Sequence, residues 1–268
     1  MNILILGCGN IGSAFVSIFK NNNNQNSSHV VDLFLENSVN GKLYHYSGID
    51  ILKKTQNIIF DIILIAIKPQ DFYDLDFHKI SNNKTIFISV MAGKTIKSIQ
   101  KELKSDKLKI ARLMPNILIK INKSISVIAY SSGIKFKDKV TILALLKDHG
   151  QMIEIKEKGF NEATVIFGCM PAYFFLLSNI LLEIGKKYSF DDNLLEDMLL
   201  NCMSDAGAFA KTIKQNNDTK EKNIFLKANK MIASKGGITE EILLNLINLP
   251  KQLDKAIKLG IKKAKKLE

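Results

Sequence analysis

The sequence predicts an α/β domain built on a doubly wound parallel sheet, followed by an all-helical domain. Three observations carry this. Strand and helix patterns alternate through the first half of the 268 residues. Several apolar runs there are continuous rather than alternating, as strands buried on both faces of a parallel sheet must be. After about Glu157 no strand pattern recurs. Alternation argues for a doubly wound sheet, and its loss marks a second domain.

The first strand covers 3–6, an apolar run rich in isoleucine, and it passes directly into Gly7-Cys8-Gly9-Asn10-Ile11-Gly12. Residues 13–20 then read as a helix. The turn has G-x-G-x-x-G spacing between strand and helix, the geometry a dinucleotide phosphate needs. Gly7 allows a tight turn, Gly9 lets the backbone approach the pyrophosphate, and Gly12 lets helix and strand pack closely. The helix N-terminus adds free N–H groups and a partial positive charge. The first domain is therefore Rossmann-type.

A polar loop over 21–28 leads to a second strand over 30–35. The run 62–67 is continuously apolar and reads as a buried strand, as does 85–90. A helix follows over 95–103, with Thr95 as its N-cap. Short strands over 109–113 and 125–130, a helix over 137–148 and an edge strand over 152–155 complete the domain. The remainder reads as helices over 161–168, 171–187, 194–214, 223–233, 239–246 and 251–267. The expected domains are 1–157, dinucleotide-binding, and 158–268, helical. Helix 171–187 is apolar nearly all round, which implies deep burial. A helical domain this small does not cover such a helix alone, so self-association through the C-terminal domain is expected.

The net charge is +12, from 38 basic and 26 acidic residues. Only Arg112 is arginine. Lysine, asparagine and isoleucine are abundant throughout, the mark of strong compositional drift. The lysines are dispersed, apart from a dense tail, and lack the interleaved aromatic platforms of nucleic-acid binders, so a solvated lysine surface is expected and nucleic acid is not. In such a chain a lone arginine marks a place where a bidentate or always-charged group is needed. Cys8, Cys169 and Cys202 are widely spaced, without metal-ligand spacing, and point to a reduced, cytoplasmic protein without a metal site. The N-terminus has no basic n-region, so no signal peptide is expected. The apolar stretch 172–184 is interrupted by Ser178, Asn179 and Glu183, and is too short to span a bilayer, so no membrane partner is expected.

Further motifs fall at strand ends, where an open parallel sheet binds ligands. Ala66-Ile67-Lys68-Pro69-Gln70 ends one strand, Ser89-Val90-Met91-Ala92-Gly93 another, and Arg112-Leu113-Met114-Pro115-Asn116 a third. In the helical half, Gly168-Cys169-Met170-Pro171-Ala172-Tyr173 leads into the apolar helix. Ser234-Lys235-Gly236-Gly237-Ile238-Thr239 opens a later one, where paired glycines before a Thr-capped helix make a small anion site. Taken in order, these segments resemble the pyrroline-5-carboxylate reductase family. That family carries G-x-G-N-x-G-x-A, V-K-P-Q, S-x-x-A-G, R-x-M-P-N, G-P-A-Y and S-P-G-G-x-T, and the resemblance spans nearly the whole chain.

The resemblance implies NAD(P)H-dependent reduction of the C=N bond of 1-pyrroline-5-carboxylate to L-proline, the last step of proline biosynthesis. It implies a cofactor-binding set of Gly7, Gly9, Asn10, Ile11, Gly12, Ala66, Lys68, Pro69, Ala92 and Gly93, and a homodimer or higher oligomer. The family's active site lies between the Rossmann edge and helices of the other subunit's C-terminal domain. The imino acid substrate's carboxylate is expected on N–H groups around Ser234, Gly236, Gly237 and Thr239, with the Thr239 hydroxyl on the ring nitrogen as the catalytic contact. An imine arrives protonated, so positioning and electrostatics suffice. His29, His45, His78 and His149 lie outside every motif and read as structural.

The sequence departs from the family at Cys169, Met170, Lys235 and Ile238. Met170 either narrows the substrate side of the pocket or fills a subunit contact. Lys235 either adds a charge for the carboxylate or is solvated. Alternatives are therefore another NAD(P)H-dependent imine or carbonyl reductase of the same architecture, or a non-catalytic nucleotide-binding protein. At the end of the second strand, Glu36 either accepts from a ribose 2′-OH, which favours NADH over NADPH, or points to solvent.

Overall fold

The computed structural model describes all residues except 8, 22–33, 40–41, 46–58, 69–71, 73–76, 78–79, 216–222 and 268, and the backbone alone at 19–21, 34–39 and 42–45. β1 (Ile3–Leu6) leads into α1 (Asn10–Asn21). β2 (Phe34–Val39) and β3 (Lys42–His45) pair antiparallel in a separate two-stranded sheet. β4 (Ile62–Ile65) and β5 (Ile86–Ser89) precede α2 (Ile96–Glu102). β6 (Lys109–Met114), β7 (Ser124–Tyr130), α3 (Phe136–Leu146) and β8 (Gly150–Glu154) complete the α/β half. The expected second strand over 30–35 lies outside the described residues at 30–33, and β2 extends four residues beyond its expected end. No strand follows β8 among the described residues.

Six strands form one sheet in the order β1-β4-β5-β6-β7-β8. The pairs from β1 to β6 are parallel, so the carboxyl ends of β1, β4, β5 and β6 share one edge. β7 runs antiparallel to β6. The reason is local: residues 115–123 are too few for a crossover, which takes about a dozen residues or more. Instead Asn116 caps a short 3₁₀ turn, Ile117–Ile121, by accepting from the Leu118 amide at 3.1 Å, and Asn122 takes a left-handed φ of 59°. α3 then provides the crossover that lays β8 parallel to β7 at the sheet edge.

Because strand side chains alternate faces, the continuous apolar runs fill two core layers at once. Leu4, Leu6, Ile63, Ile65 and Phe87 pack on one face with Ile96 and Ile99 of α2. Ile3, Ile5, Ile62, Leu64 and Ile88 pack on the other with Phe15 of α1 and Ile142 of α3. The site edge is thus held by strands buried on both sides.

Two compact units are distinguished: residues 1–171 with 259–268, and residues 172–258. In the first, α4 (Phe160–Ala163) continues through a π-helical turn, Thr164–Gly168, closed by Cys169 N donating to Thr164 O at 3.2 Å. The end of the last helix belongs to this unit. Gly260 lies against Val165, Lys265 Nζ meets Glu162 Oε1 at 2.9 Å, and Leu267 seats on Gly93.

The helices of the second half are α5 (Met170–Lys186), α6 (Asp192–Gln215), α7 (Ile224–Ile232), α8 (Ile238–Asn245) and α9 (Leu249–Lys265). A Cβ at Gly185 would stand 2.8 Å from Leu195 Cδ1, so the glycine lets α5 and α6 approach. Two expectations are corrected here. α5 is not deeply buried within one chain, since Phe174 is 54% exposed and Leu176 60%. The helical run Glu157–Lys186 is also longer than its apolar stretch, and by length and composition alone is long and apolar enough to cross a membrane.

Candidate active site

The glycine turn sits at the carboxyl end of β1, and its three glycines are required for different reasons. Gly7 has φ +96°, and a Cβ there would lie 2.7 Å from Ala66 O. A Cβ on Gly12 would overlap the carbonyl oxygen of Gly7 and stand 3.3 Å from the Ala66 methyl. The chain itself therefore demands both glycines, and a small residue at 66. Gly9 differs. Its φ is not positive, and a Cβ there would meet nothing within 4 Å. Gly9 and Asn10 are exposed, Ile11 is half-buried against the core, and α1 begins at Asn10 with first-turn N–H groups that have no helical partner. Open space beside a helix N-terminus with free first-turn N–H groups fits a dinucleotide pyrophosphate. Lys120 Nζ reaches Asn10 Oδ1 at 3.4 Å and brings a cation to the same turn.

Along the edge, Ala66 N donates to Leu6 O at 2.7 Å and Val90 N to Ile65 O at 2.9 Å, extending the ladder past the strand ends. Lys68 is exposed. Pro69 and Gln70 lie outside the described residues, as does the Glu36 side chain, although Glu36 falls on β2. In the loop after β5, Met91, Gly93 and Lys94 are buried and Ala92 is exposed. Gly93 has φ +76° and is covered by Leu267, so only glycine fits there within the chain itself. Thr95 caps α2, accepting from Ser98 N at 3.0 Å.

Arg112, the lone arginine, is 1% exposed. Its guanidinium lies 4.1 Å over the Phe160 ring, and Nη1 donates to Glu157 Oε1 at 2.9 Å. The contact is a single charge-assisted hydrogen bond plus stacking, rather than the bidentate pair that arginine also permits. The same Oε1 accepts from Ile96 N at 3.0 Å. Sequence reasoning missed Glu157, because its partners lie 45 and 61 positions away.

The second unit carries the other expected set, described by itself. Gly237 is the N-cap of α8 and donates its N–H to Ser234 O at 2.9 Å. Gly236 takes φ +71° with open space where a Cβ would be, and Thr239 is half-exposed. The Gly236 N–H already has a carboxylate, Glu240 Oε2, at 2.6 Å. Glu240 also escaped the sequence reading, although an acid three residues after an N-cap is the capping-box spacing. At the end of the first unit, Pro171 is buried, Met170 half-buried and Cys169 exposed.

A separate groove of about 490 Å³ runs beside α1, lined by Ser13, Ser17, Lys120, Asn122 and His149. His149 Nδ1 lies 2.7 Å from Asn122 Oδ1 and helps hold the left-handed turn. Burial lowers the His149 pKa, against the opposing charge of Asp148. No group of three or more metal-ligating side chains occurs among the described residues.

The family model described as pyrroline-5-carboxylate reductase dimerisation matches residues 157–267. A pyrroline-5-carboxylate reductase of Staphylococcus epidermidis is 26% identical over 253 residues, covering 90% of this chain and 87% of that protein. One from Aquifex aeolicus is 28% identical over 192 residues, 71% of each. Among solved structures, the Plasmodium falciparum pyrroline carboxylate reductase with NADP bound superposes with a TM-score of 0.82 at 22% identity, over 100% of this chain and 98% of that one. The Streptococcus pyogenes enzyme gives 0.78 at 23% identity, over 99% and 98%. One family thus matches both halves of the sequence, through its dimerisation model at 157–267 and through relatives that cover most of the chain, and the fold is that of its solved structures.

Proposed function

We propose that the protein reduces the C=N bond of 1-pyrroline-5-carboxylate to L-proline with NAD(P)H. The observation that carries this is the contrast among the three glycines. Gly7 and Gly12 are demanded by the chain, whereas nothing within the chain requires Gly9, which leaves open space beside the helix N-terminus where a pyrophosphate would sit. The dinucleotide's pyrophosphate is held by N–H groups at the start of α1, with Gly9 and Asn10 in contact and Ala66, Lys68, Pro69, Ala92 and Gly93 along the edge. Reduced nicotinamide supplies the hydride when bound. The chain's own task is to bind, orient and exclude water. Backbone N–H groups around Gly236 and Thr239 hold the substrate carboxylate, which takes the place of Glu240 at the Gly236 amide while Gly237 closes the turn onto Ser234, and the Thr239 hydroxyl orients the imine nitrogen. NADH is the preferred donor on this reading, because Glu36 at the second strand accepts from a ribose 2′-OH and repels a 2′-phosphate.

Residues 1–157 serve the dinucleotide, and 158–268 serve substrate and self-association, in a cytoplasmic enzyme. The exposed apolar side chains of α5 are covered by a second copy rather than by lipid; the match of the dimerisation model to the same residues supports this. The test is NADH and NADPH oxidation followed at the nicotinamide absorbance with 1-pyrroline-5-carboxylate, with proline identified as product. Thr239→Ala is expected to lower turnover far more than it weakens nucleotide binding. Equal losses in both would remove the role given to Thr239. No turnover by the wild-type protein with either cofactor would overturn the reading.

A further inference from the structure

The loop 90–95 is bracketed by one arginine. At its start, Ser89 pairs with Arg112 across β5 and β6. At its end, the Ile96 amide donates to Glu157 Oε1, and that same oxygen receives the Arg112 guanidinium. Both ends of the loop are thereby tied to one buried residue, through its backbone in the ladder on one side and through its side chain and a shared carboxylate on the other. Within the bracket, Met91 and Lys94 are buried and Leu267 covers Gly93. Ala92 is the residue of 91–94 left exposed, beyond the carboxyl end of β5, on the edge where a doubly wound sheet takes its ligand.

We infer that Glu157, held by Arg112, is a positioning residue for the dinucleotide: it fixes the 90–95 loop so that Ala92 is presented at the ligand edge. The inference rests on the reading that this edge binds NAD(P)H. Its chemistry explains why these two residue types are used. Burying an ion pair is expensive, and an apolar pair would fill the same volume at lower cost. An apolar residue at 157, however, cannot accept the Ile96 amide. Glutamine accepts it but leaves Arg112 buried without a counter-charge. Lysine at 112 cannot lie flat on Phe160 while donating sideways. The start of α2 adds its own preference for a carboxylate.

The experiment compares wild-type protein with Glu157→Asp, Glu157→Gln and Arg112→Lys, using Ile142→Val as a control. Ile142 is fully buried in the core layer on the opposite face of the sheet from α2. NADH and NADPH dissociation constants are read by nicotinamide fluorescence, and the KM for 1-pyrroline-5-carboxylate by turnover, below the melting range of every variant. Glu157→Asp keeps the charge beside Arg112 but retracts it from the Ile96 amide. It is expected to raise the dinucleotide Kd at least fivefold, with the imino acid KM within twofold of wild type. Glu157→Gln and Arg112→Lys move the Kd the same way, and the double variant binds no more weakly than the weaker single one, because the bracket acts as a unit. The control lowers Tm and leaves Kd within twofold. A Kd for Glu157→Asp within twofold of wild type overturns the inference alone. A wild-type protein that binds neither dinucleotide overturns the underlying reading and the inference with it.

Discussion

Replacing Gly9 and Gly12 by alanine, one at a time, separates a glycine kept for a ligand from one kept for the fold. At Gly9 the added methyl meets no atom within 4 Å and no positive φ opposes it. Two small terms then compete. Loss of backbone freedom in the unfolded chain favours alanine by about 0.4–1 kcal/mol. Alanine just before α1 is a poorer N-terminal residue than glycine, by a similar amount of about 0.5–1 kcal/mol. The net change is within about 1 kcal/mol, and Tm is expected to stay within about 2–4 °C of wild type. At Gly12 the methyl would overlap the carbonyl oxygen of Gly7, a backbone atom at the end of a fully buried strand. Displacing it costs about 1–3 kcal/mol, as overpacking does elsewhere, or roughly 2–12 °C of Tm.

Binding separates the two in the opposite sense. The Gly9 methyl projects into the space left for the pyrophosphate, and a misfit of about 1.4–3 kcal/mol there weakens NADH or NADPH binding roughly ten- to a hundredfold. Thermal melts of both variants, paired with fluorescence titrations of each dinucleotide, give the numbers needed. A Gly9→Ala protein that binds as tightly as wild type, or that melts as low as Gly12→Ala, refutes the division of labour among the glycines.

Three further outcomes are expected. Glu240→Ala frees the Gly236 N–H from its internal carboxylate, so the KM for the imino acid should fall about two- to fivefold, a small effect because the contact is exposed; steady-state kinetics would check it, and a raised KM would count against a substrate carboxylate at that amide. Burial raises the Asp138 carboxyl, but the Lys109 hydrogen bond, the Lys135 amide and nearby lysine charges outweigh it and hold its pKa below the usual value. Its stabilisation is therefore present above the unfolded pKa and lost as pH falls through the folded one, so Asp138→Asn should destabilise the protein near neutrality, with the gap to wild type closing in acid in denaturant melts across pH. Leu176→Glu, on the exposed apolar face of α5, should shift the protein towards monomer in sedimentation while leaving dinucleotide affinity unchanged.

Much of the fold is legible because its signals are local. Apolar runs give the strands, and the end of those runs places the change to helix. Thr95 is readable as a cap because a hydroxyl before a helical pattern has a nearby donor to accept from. Strand direction is not carried by periodicity: the pattern of 124–130 looks the same whichever way β7 runs, and only the short 115–123 connection decides it. The π turn at 164–168 is invisible for a related reason, since one extra residue in a helical turn hardly disturbs an apolar pattern. The loop bracket depends on contacts across 45 and 61 positions, and Gly93 on a residue near the far end of the chain. No window of sequence contains both partners. Helix α5 shows a different limit. Its composition reports that the helix must be covered, and says nothing of whether its own chain or another copy covers it.

Rarity proves a better guide than pattern in a chain of such biased composition. There is one arginine among 38 basic residues and there are four prolines in all, and those among the described residues stand where their geometry has a use. Pro115 follows β6, where the chain must leave the ladder before reversing into β7. Pro171 and Pro250 are each the second residue of a helix, where a missing N–H removes no helical hydrogen bond. Arg112 is buried where a permanent, planar cation joins an aromatic face to a carboxylate. These roles belong to the scaffold, yet Arg112 and Pro115 share the segment that ends β6 on the ligand edge. On the proposed function a dinucleotide would meet mostly backbone there, and backbone holds its shape only if something rigid holds it. Rare, conformationally committed residues would then be retained behind the site rather than in it, and lysine left to fill the surface. Arg112→Lys keeps the charge and changes only the shape, so its effect on dinucleotide affinity is the direct measure of that argument.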